Sequence, residues 1–348
     1  MYRRLLTTTT LTLLLLSTIN TPCLSAEPMS EPADVVIKST TNRGETNIGD
    51  YWIGEDFAEG FRNNGLSATV DYRGEYQTKH TPEPKINVYM RGYTKFTPPF
   101  PKGCNVLYVY YPMVFHQDSK NKLSKAQLNT RPLPPENTNL DDDWQNYDVL
   151  AVASKSYAEK LNQNGIKAIY TPQFTNTSKF YPEKDESVAT DILFVGSNWH
   201  DRTSLRYALE EGFDVAVYGY NWQGVVPDRM YKGEYIANMD LNRYYASAKI
   251  VLNDHRPDMK EFGFVNNRIY DATAAGAMVI SDYMPEIEAE YGDTIPMYKN
   301  KEELRKLLNY YLSHEEERQR RAEQARAITL HKFTNTAVAA TLTTACEE

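Results

Sequence analysis

The sequence predicts an α/β protein of two Rossmann-like αβα domains facing across a cleft. Short apolar runs alternate with segments of helical spacing through most of the chain, as in parallel strands joined by helical crossovers. Glycine turns follow several of the runs, at Gly44 and Gly49, at Gly196 and at Gly219. A stretch without periodicity, residues 172–190, holds Pro172, Pro182 and mixed charge and separates the two halves. The 348 residues suffice for two domains of ordinary size. The division is a first domain at 33–175, a linker at 176–190, a second domain at 191–312 and a helical tail at 313–348.

Residues 1–26 have the three parts of a secretory signal peptide: Arg3 and Arg4, an apolar core around Leu11–Leu16, and Leu24-Ser25-Ala26 as a cleavage site. The core is too short to span a bilayer, and no further long apolar run follows. The expected location is secreted or periplasmic, or cytoplasmic if translation starts at Met29. Cleavage takes away two positive charges and no negative ones, moving the formal charge from −8 to −10. Such a chain does not suit nucleic acid or an anionic membrane surface. Cys104 and Cys346 alone remain, too few for a disulfide framework and with a spacing that fits no metal site.

In the first half, residues 33–41 read as a buried strand and Tyr51–Asn63 as a helix, with Trp52, Ile53, Phe57 and Phe61 on helical spacing. Asp50 is placed either as the N-cap of that helix or as part of a loop lining the cleft. Strands follow at 66–72, 86–90, 106–111, 147–153 and 166–170, with a helix at 155–164. The run Asp141-Asp142-Asp143 reads as a solvated helix cap rather than a metal site.

The second half opens with strand 192–195 and the turn Gly196-Ser197-Asn198, whose N–H groups can approach a diphosphate. Arg202 either adds charge there or is a helix-surface cation. Strand 214–219 ends in Tyr218-Gly219-Tyr220-Asn221-Trp222, where Tyr218 and Trp222 pack the bend or, as the family resemblance given below implies, stack on a base. Residues 250–280 form a strand, a polar loop from Asn253 to Asn267, a helix from Arg268 to Ala275 and a second strand, a right-handed parallel crossover. Ligands in such sheets lie at the carboxyl ends of the strands. Arg268 and Asp271 stand three apart on the helix and can face one cleft.

These residues resemble the C-terminal half of group 1 glycosyltransferases with the GT-B fold, in the spore-maturation-protein-like branch. The family carries a phenylalanine-glycine pair before a helix reading E-A-x-A-x-G. Here Phe262-Gly263 precedes Asp271-Ala272-Thr273-Ala274-Ala275-Gly276. The family's acid on that helix holds the ribose of a nucleotide-sugar donor, a role the resemblance assigns to Asp271. Glu261 stands ten residues before it, where the family's earlier glutamate stands eight before. His116 follows the strand after which related enzymes carry a histidine facing the donor sugar, and Asn47–Tyr51 looks like the family's G-D-Y stretch.

The resemblance implies metal-independent transfer of a hexose from a nucleotide diphosphate sugar to an acceptor hydroxyl, with no cofactor besides the donor. Gly196, Ser197, Arg202 and Arg268 are expected to hold the diphosphate, whose charge grows as the bond breaks. Asp271, Tyr218 and Gly219 are expected to anchor the nucleoside, and Glu261, Phe262, Gly263 and His116 to orient the sugar. The acceptor is a glycan, a protein or a small molecule. A secreted glycan-binding protein that kept the fold without catalysis is the alternative, and an epimerase of similar build a third.

Overall fold

The computed structural model describes residues 32–76, 80–91, 101–112 and 142–348. The expected signal peptide, His116 and Asp141 lie outside the described residues.

The first lobe is a six-stranded sheet of β1 (Val35–Lys38), β2 (Ala68–Asp71), β3 (Ile86–Arg91), β4 (Cys104–Val109), β5 (Val149–Val152) and β6 (Ile169–Tyr170). Its order is β2-β1-β3-β4-β5-β6, with every pair parallel. Helix α1 (Gly49–Asn63) buries Phe57 and Phe61, and Phe57 meets Phe174 at 4.8 Å and Tyr108 at 5.0 Å. Asp50 is not the N-cap. Ile48 holds that place without a side-chain bond, and Asp50 instead accepts from Tyr110 at 2.7 Å and Thr40 at 3.1 Å. Helix α2 (Lys155–Gln163) is capped by Ser154, whose Oγ accepts from the Tyr157 N–H at 3.1 Å.

The second lobe holds β7 (Thr190–Val195), β8 (Ala216–Tyr218), β9 (Tyr231–Gly233), β10 (Ala248–Asn253), β11 (Met278–Asp282) and β12 (Met297–Tyr298). Their order is β12-β11-β10-β7-β8-β9, again all parallel. The helices that follow in the chain are α3 (Thr203–Glu210), α4 (Asn238–Ser247), α5 (Pro257–Phe262), α6 (Asn267–Ala274), α7 (Pro285–Tyr291), α8 (Lys301–Ser313), α9 (Glu315–Lys332) and α10 (Asn335–Glu347), the last of which packs on the first lobe. Ile250, Val251 and Leu252 on β10 are fully buried, as a strand covered on both faces requires.

Two features depart from the reading of the sequence. The first is α5, which lies inside the stretch read as a polar loop. Met259, Phe262 and Phe264 leave the second lobe's own core and join the buried cluster of the first lobe. The second is a disulfide between Cys104, at the start of β4, and Cys346, in the last turn of α10, 242 residues apart. Two distant cysteines have no spacing signal; the fold brings them together because α10 returns to the first lobe. Gly60 permits that return, since a Cβ there would stand 2.3 Å from the Asn335 carbonyl oxygen.

The chain passes between lobes twice, side by side. Thr175 N–H donates to the Phe333 carbonyl and Asn335 N–H to the Thr175 carbonyl, each at 2.8 Å. Asn176, the first residue of a glycosylation sequon, is buried here and donates to Asp56 and Glu59 at 2.8 Å, which leaves no access for a glycan on the folded chain. Among the described residues, no helix is long and apolar enough to cross a membrane.

Candidate functional site

Strands of both sheets point their carboxyl ends at the interlobe cleft, and a cavity of about 430 Å³ opens there. The first lobe lends the loop Thr46–Gly49 and Trp52. The second lends Gly196, Ser197, Tyr218, Gly219 and Arg268, with Tyr235 and Ile236 on the far side. The Tyr235 hydroxyl donates to the Thr46 carbonyl at 2.8 Å and ties the two walls together.

The floor is a pair of adjoining glycine turns. Gly196 N–H donates to the Tyr218 carbonyl at 2.8 Å, and Trp222 Nε1 donates to the Gly196 carbonyl at 2.6 Å. Trp222 is buried with its ring edge-on to Phe194 at 6.0 Å, so it packs the bend. Gly219 has φ +149°, and a Cβ on it would lie 2.2 Å from the Gly196 carbonyl oxygen. No side chain fits at that contact. Tyr218 turns its ring edge-on to Tyr244 at 5.2 Å, at the cavity wall.

Behind Gly196 stand two guanidinium groups. A Cβ on Gly196 would be 2.7 Å from an Arg202 nitrogen and 3.0 Å from an Arg268 nitrogen. Both cations lie over the Phe194 ring, at 5.0 and 5.7 Å. Arg202 is buried and paired with Asp254 at 3.0 Å. Burial lowers its pKa to about 10, against the pull of Asp254 and with some help from like-charged Arg268. Its neighbour His200, whose Nε2 is 3.0 Å from Arg202 Nη1, is held down to about 3 by burial and then by Arg202. Arg268 differs. It donates to the Asn253 side-chain oxygen at 2.7 Å and to the Val195 carbonyl at 2.6 Å, both neutral. Among the described residues it has no carboxylate partner, so its positive charge is uncompensated at the cavity floor.

The other expected site residues lie elsewhere. Asp271, one turn beyond Arg268, is buried at the lobe crossing. It accepts from Asn267 Nδ2 at 2.7 Å, and burial pushes its pKa well above the carboxylate range while nearby Thr175 and Lys179 temper the rise. Glu261 is exposed on α5. The Phe262 carbonyl accepts from Ser154 Oγ at 2.6 Å, and its ring meets Tyr157 edge-on at 5.4 Å, both in the first lobe. A Cβ on Gly263, at φ +69°, would stand 2.2 Å from Ser156 Oγ and Glu286 Oε1. The structure therefore gathers Gly196, Ser197, Tyr218, Gly219 and Arg268 around one cavity, with Arg202 behind it. Asp271, Glu261, Phe262 and Gly263 do not line that cavity.

Sequence reasoning passed over the acceptors that set these cations. Asn253 ends β10 and Asp254 comes next, and Asp254 also takes both the N–H and the hydroxyl of Ser204, at 3.1 and 2.8 Å. His255 follows, with Nδ1 2.7 Å from Asp282 Oδ1 at the end of β11. Burial pushes Asp282 up, but His255 and Lys260 outweigh it and hold the carboxyl below its ordinary value. The available signal was position: polar residues ending two apolar strands, where an open α/β sheet places its site.

This architecture, two parallel α/β lobes with a glycine-floored cleft between them, is the GT-B fold of glycosyltransferases. Residues 197–344 match the family model described as glycosyl transferase-like. The chain is distantly homologous to the spore protein CgeB of Bacillus subtilis, 27% identical over 207 residues, which span 54% of this chain and 64% of CgeB. Among solved structures, sucrose-phosphate synthase of Thermosynechococcus elongatus superposes with a TM-score of 0.60 at 12% identity, covering 89% of this chain and 97% of its own. HepE of Anabaena, solved with UDP and glucose, has a TM-score of 0.58 at 12% identity, covering 91% and 100%. BGT of T4 phage, solved with UDP and Mn2+, has 0.55 at 13% identity, covering 90% and 99%.

Proposed function

We propose that the protein transfers a hexose from a nucleoside diphosphate sugar to an acceptor hydroxyl, without a metal ion. One observation carries this reading: Arg268, a cation with only neutral partners, stands behind a glycine turn at the floor of a cavity between the lobes. A leaving diphosphate needs charge and N–H donors where negative charge grows. Arg268 and the Ser197 N–H supply them there, since the N–H groups of Gly196 and Asn198 already donate to the Tyr218 and Tyr220 carbonyls, and Arg202 positions the turn from behind. Tyr218 and Gly219 border the nucleoside, while Asp271, expected at the ribose, stands outside this cavity. His116 and Glu261 remain the candidates for the sugar. Structural likeness to proteins solved with UDP makes a uridine donor the first to test.

The disulfide fits an oxidising compartment, so we propose export, with residues 1–26 as the signal. Calorimetry of the chain with UDP, GDP and ADP, without divalent metal, tests the donor reading. Removing a charged donor costs about 1.5–3 kcal/mol, so Arg268→Ala should weaken binding of the preferred nucleotide at least tenfold. Absence of any nucleotide binding would sink it. Donor hydrolysis and transfer assays then address chemistry.

A second reading, a glycan-binding protein without catalysis, draws on one specific observation. Phe262 and Gly263, the pair expected near the sugar, are occupied in packing on the first lobe. Glycan binding without nucleotide affinity favours it.

A further inference from the structure

Asp254 and Asp282, beside the carboxyl ends of β10 and β11, are already engaged. Asp254 pairs with Arg202 at 3.0 Å, and Asp282 with His255 at 2.7 Å and Lys260 at 3.1 Å. Arg268 is left with neutral acceptors, the Val195 carbonyl and the side chain of Asn253. Asn253 ends β10, is fully buried and does not line the glycine-floored cavity. Its effect on a ligand there must therefore pass through Arg268.

An amide side chain has an acceptor on one arm and a donor on the other, and turning it over exchanges them. The neighbours of Asn253 forbid that exchange from both sides. Arg268 Nη1 stands 2.7 Å from the amide, and a guanidinium only donates, so the oxygen faces it. On the other arm, Nδ2 donates to Ser281 Oγ at 2.9 Å. Ser281 has a single hydroxyl proton and gives it to Asp282 Oδ1 at 3.2 Å, so toward Asn253 it can only accept. The Asp282 carboxylate sets the direction of the hydroxyl, the hydroxyl sets the amide, and the amide sets an acceptor at Arg268.

This chain separates position from charge. An aspartate in place of Asn253 would put a carboxylate against the guanidinium, and such charge-assisted pairs are short and strong. The positive charge would then be spoken for. The amide makes a bond of the same reach and leaves that charge in place. Negative charge growing on a diphosphate is stabilised best by a cation that is already oriented and not already paired.

We propose that Asn253 is a positioning residue for the nucleoside diphosphate: locked by Ser281 and Asp282, it holds the Arg268 guanidinium at the cavity floor and keeps its charge available to the phosphates. This role rests on the donor reading and adds a requirement that Arg268 alone does not impose, that the side chain at position 253 be neutral.

The test is calorimetry of the full chain with UDP, GDP or ADP, whichever the parent binds most tightly, at low and at high salt. Asn253→Asp should bind at least tenfold more weakly than the parent and lose most of the salt dependence, as Arg268→Ala does, because the cation that salt would screen is already paired. Asn253→Ala should weaken binding severalfold in the parent background and add nothing in the Arg268→Ala background. A merely structural role would weaken both backgrounds alike. Urea melts establish that each variant is folded; if Asn253→Asp is not, Asn253→Ala in the two backgrounds decides. Unchanged affinity in Asn253→Asp, or equal loss in both backgrounds, overturns the proposal, while a loss in Arg268→Ala still upholds the donor reading. A parent that binds none of the three nucleotides overturns both.

Discussion

The Tyr111 hydroxyl of the first lobe donates to Asp258 Oδ2 of α5 in the second at 2.6 Å, with both side chains buried. The bond anchors the N-terminal part of α5, and Phe262 and Phe264 anchor its far end in the first-lobe core. The loop between β10 and α6 is therefore part of the seam that holds the lobes in this orientation. Arg268 lies in the first turn of α6 just beyond, so lobe closure and the cation at the cavity floor share one segment of chain.

Removing the Tyr111 hydroxyl deprives a buried carboxylate oxygen of a donor, while Asp258 Oδ1 keeps the Met259 N–H at 3.0 Å. An unsatisfied buried group costs about 1–3 kcal/mol. Tyr111→Phe should lower the urea-unfolding free energy by that amount. A melt identical to the parent's shows that the bond contributes nothing to the seam.

The disulfide closes a loop of 242 residues between β4 and α10. Cross-links over long loops chiefly restrict the unfolded chain, and losing a native one typically costs about 2–5 kcal/mol. Dithiothreitol should therefore lower the melting temperature of the parent and leave that of Cys104→Ser/Cys346→Ser unchanged. A parent insensitive to reductant, with both thiols confirmed free, contradicts a stabilising role.

The fold was legible because its signals are local. Ile250-Val251-Leu252 and Met278-Val279-Ile280 announce buried parallel strands, and Gly276 marks the end of α6 with φ +81°. The Gly196 turn was legible for the same reason, since it directly follows the first strand of a new α/β unit. What escaped is tertiary. Met259, Phe262 and Phe264 sit in a polar stretch, and nothing near them in sequence shows that their partner surface, around Ser154 and Tyr157, is a hundred residues upstream. Phe262 and Gly263 were accordingly expected at a sugar, while the structure gives them to the seam. Strand β9 is three residues long, too short to carry a period. Arg268 and Arg202 were named together, yet only geometry separates them, one paired with Asp254 and the other left with neutral acceptors.

His200 makes a pH-dependent contribution whose sign follows from its setting. The unfolded chain gains a proton near the ordinary histidine value of about 6.5, but the folded chain waits until about 3 because of burial and Arg202. Between these values the unfolded state binds more protons, so stability falls as pH drops through that window and is undiminished above it. His200→Gln removes this contribution. Urea melts at pH 7.5 and 5 should show a smaller acid loss for the variant. Equal losses mean that the native histidine titrates freely.

Gly219 and Gly233 separate crowding from backbone strain. Both have positive φ, +149° and +157°, so alanine is strained at either. At Gly233 the new methyl finds only the Tyr218 ring at 3.7 Å, an ordinary contact, whereas at Gly219 it meets the Gly196 carbonyl oxygen at 2.2 Å and the Ser197 nitrogen at 2.9 Å. Strained backbone costs on the order of 1–3 kcal/mol, which both variants should lose in urea melts. Gly219→Ala must in addition displace the Gly196 turn, because backbone atoms cannot rotate aside as a side chain does. It should lose at least tenfold in nucleoside diphosphate affinity, while Gly233→Ala, folded and assayed in parallel, keeps most of it. Equal affinity in the two variants would show that the Gly196 turn is not where the diphosphate rests.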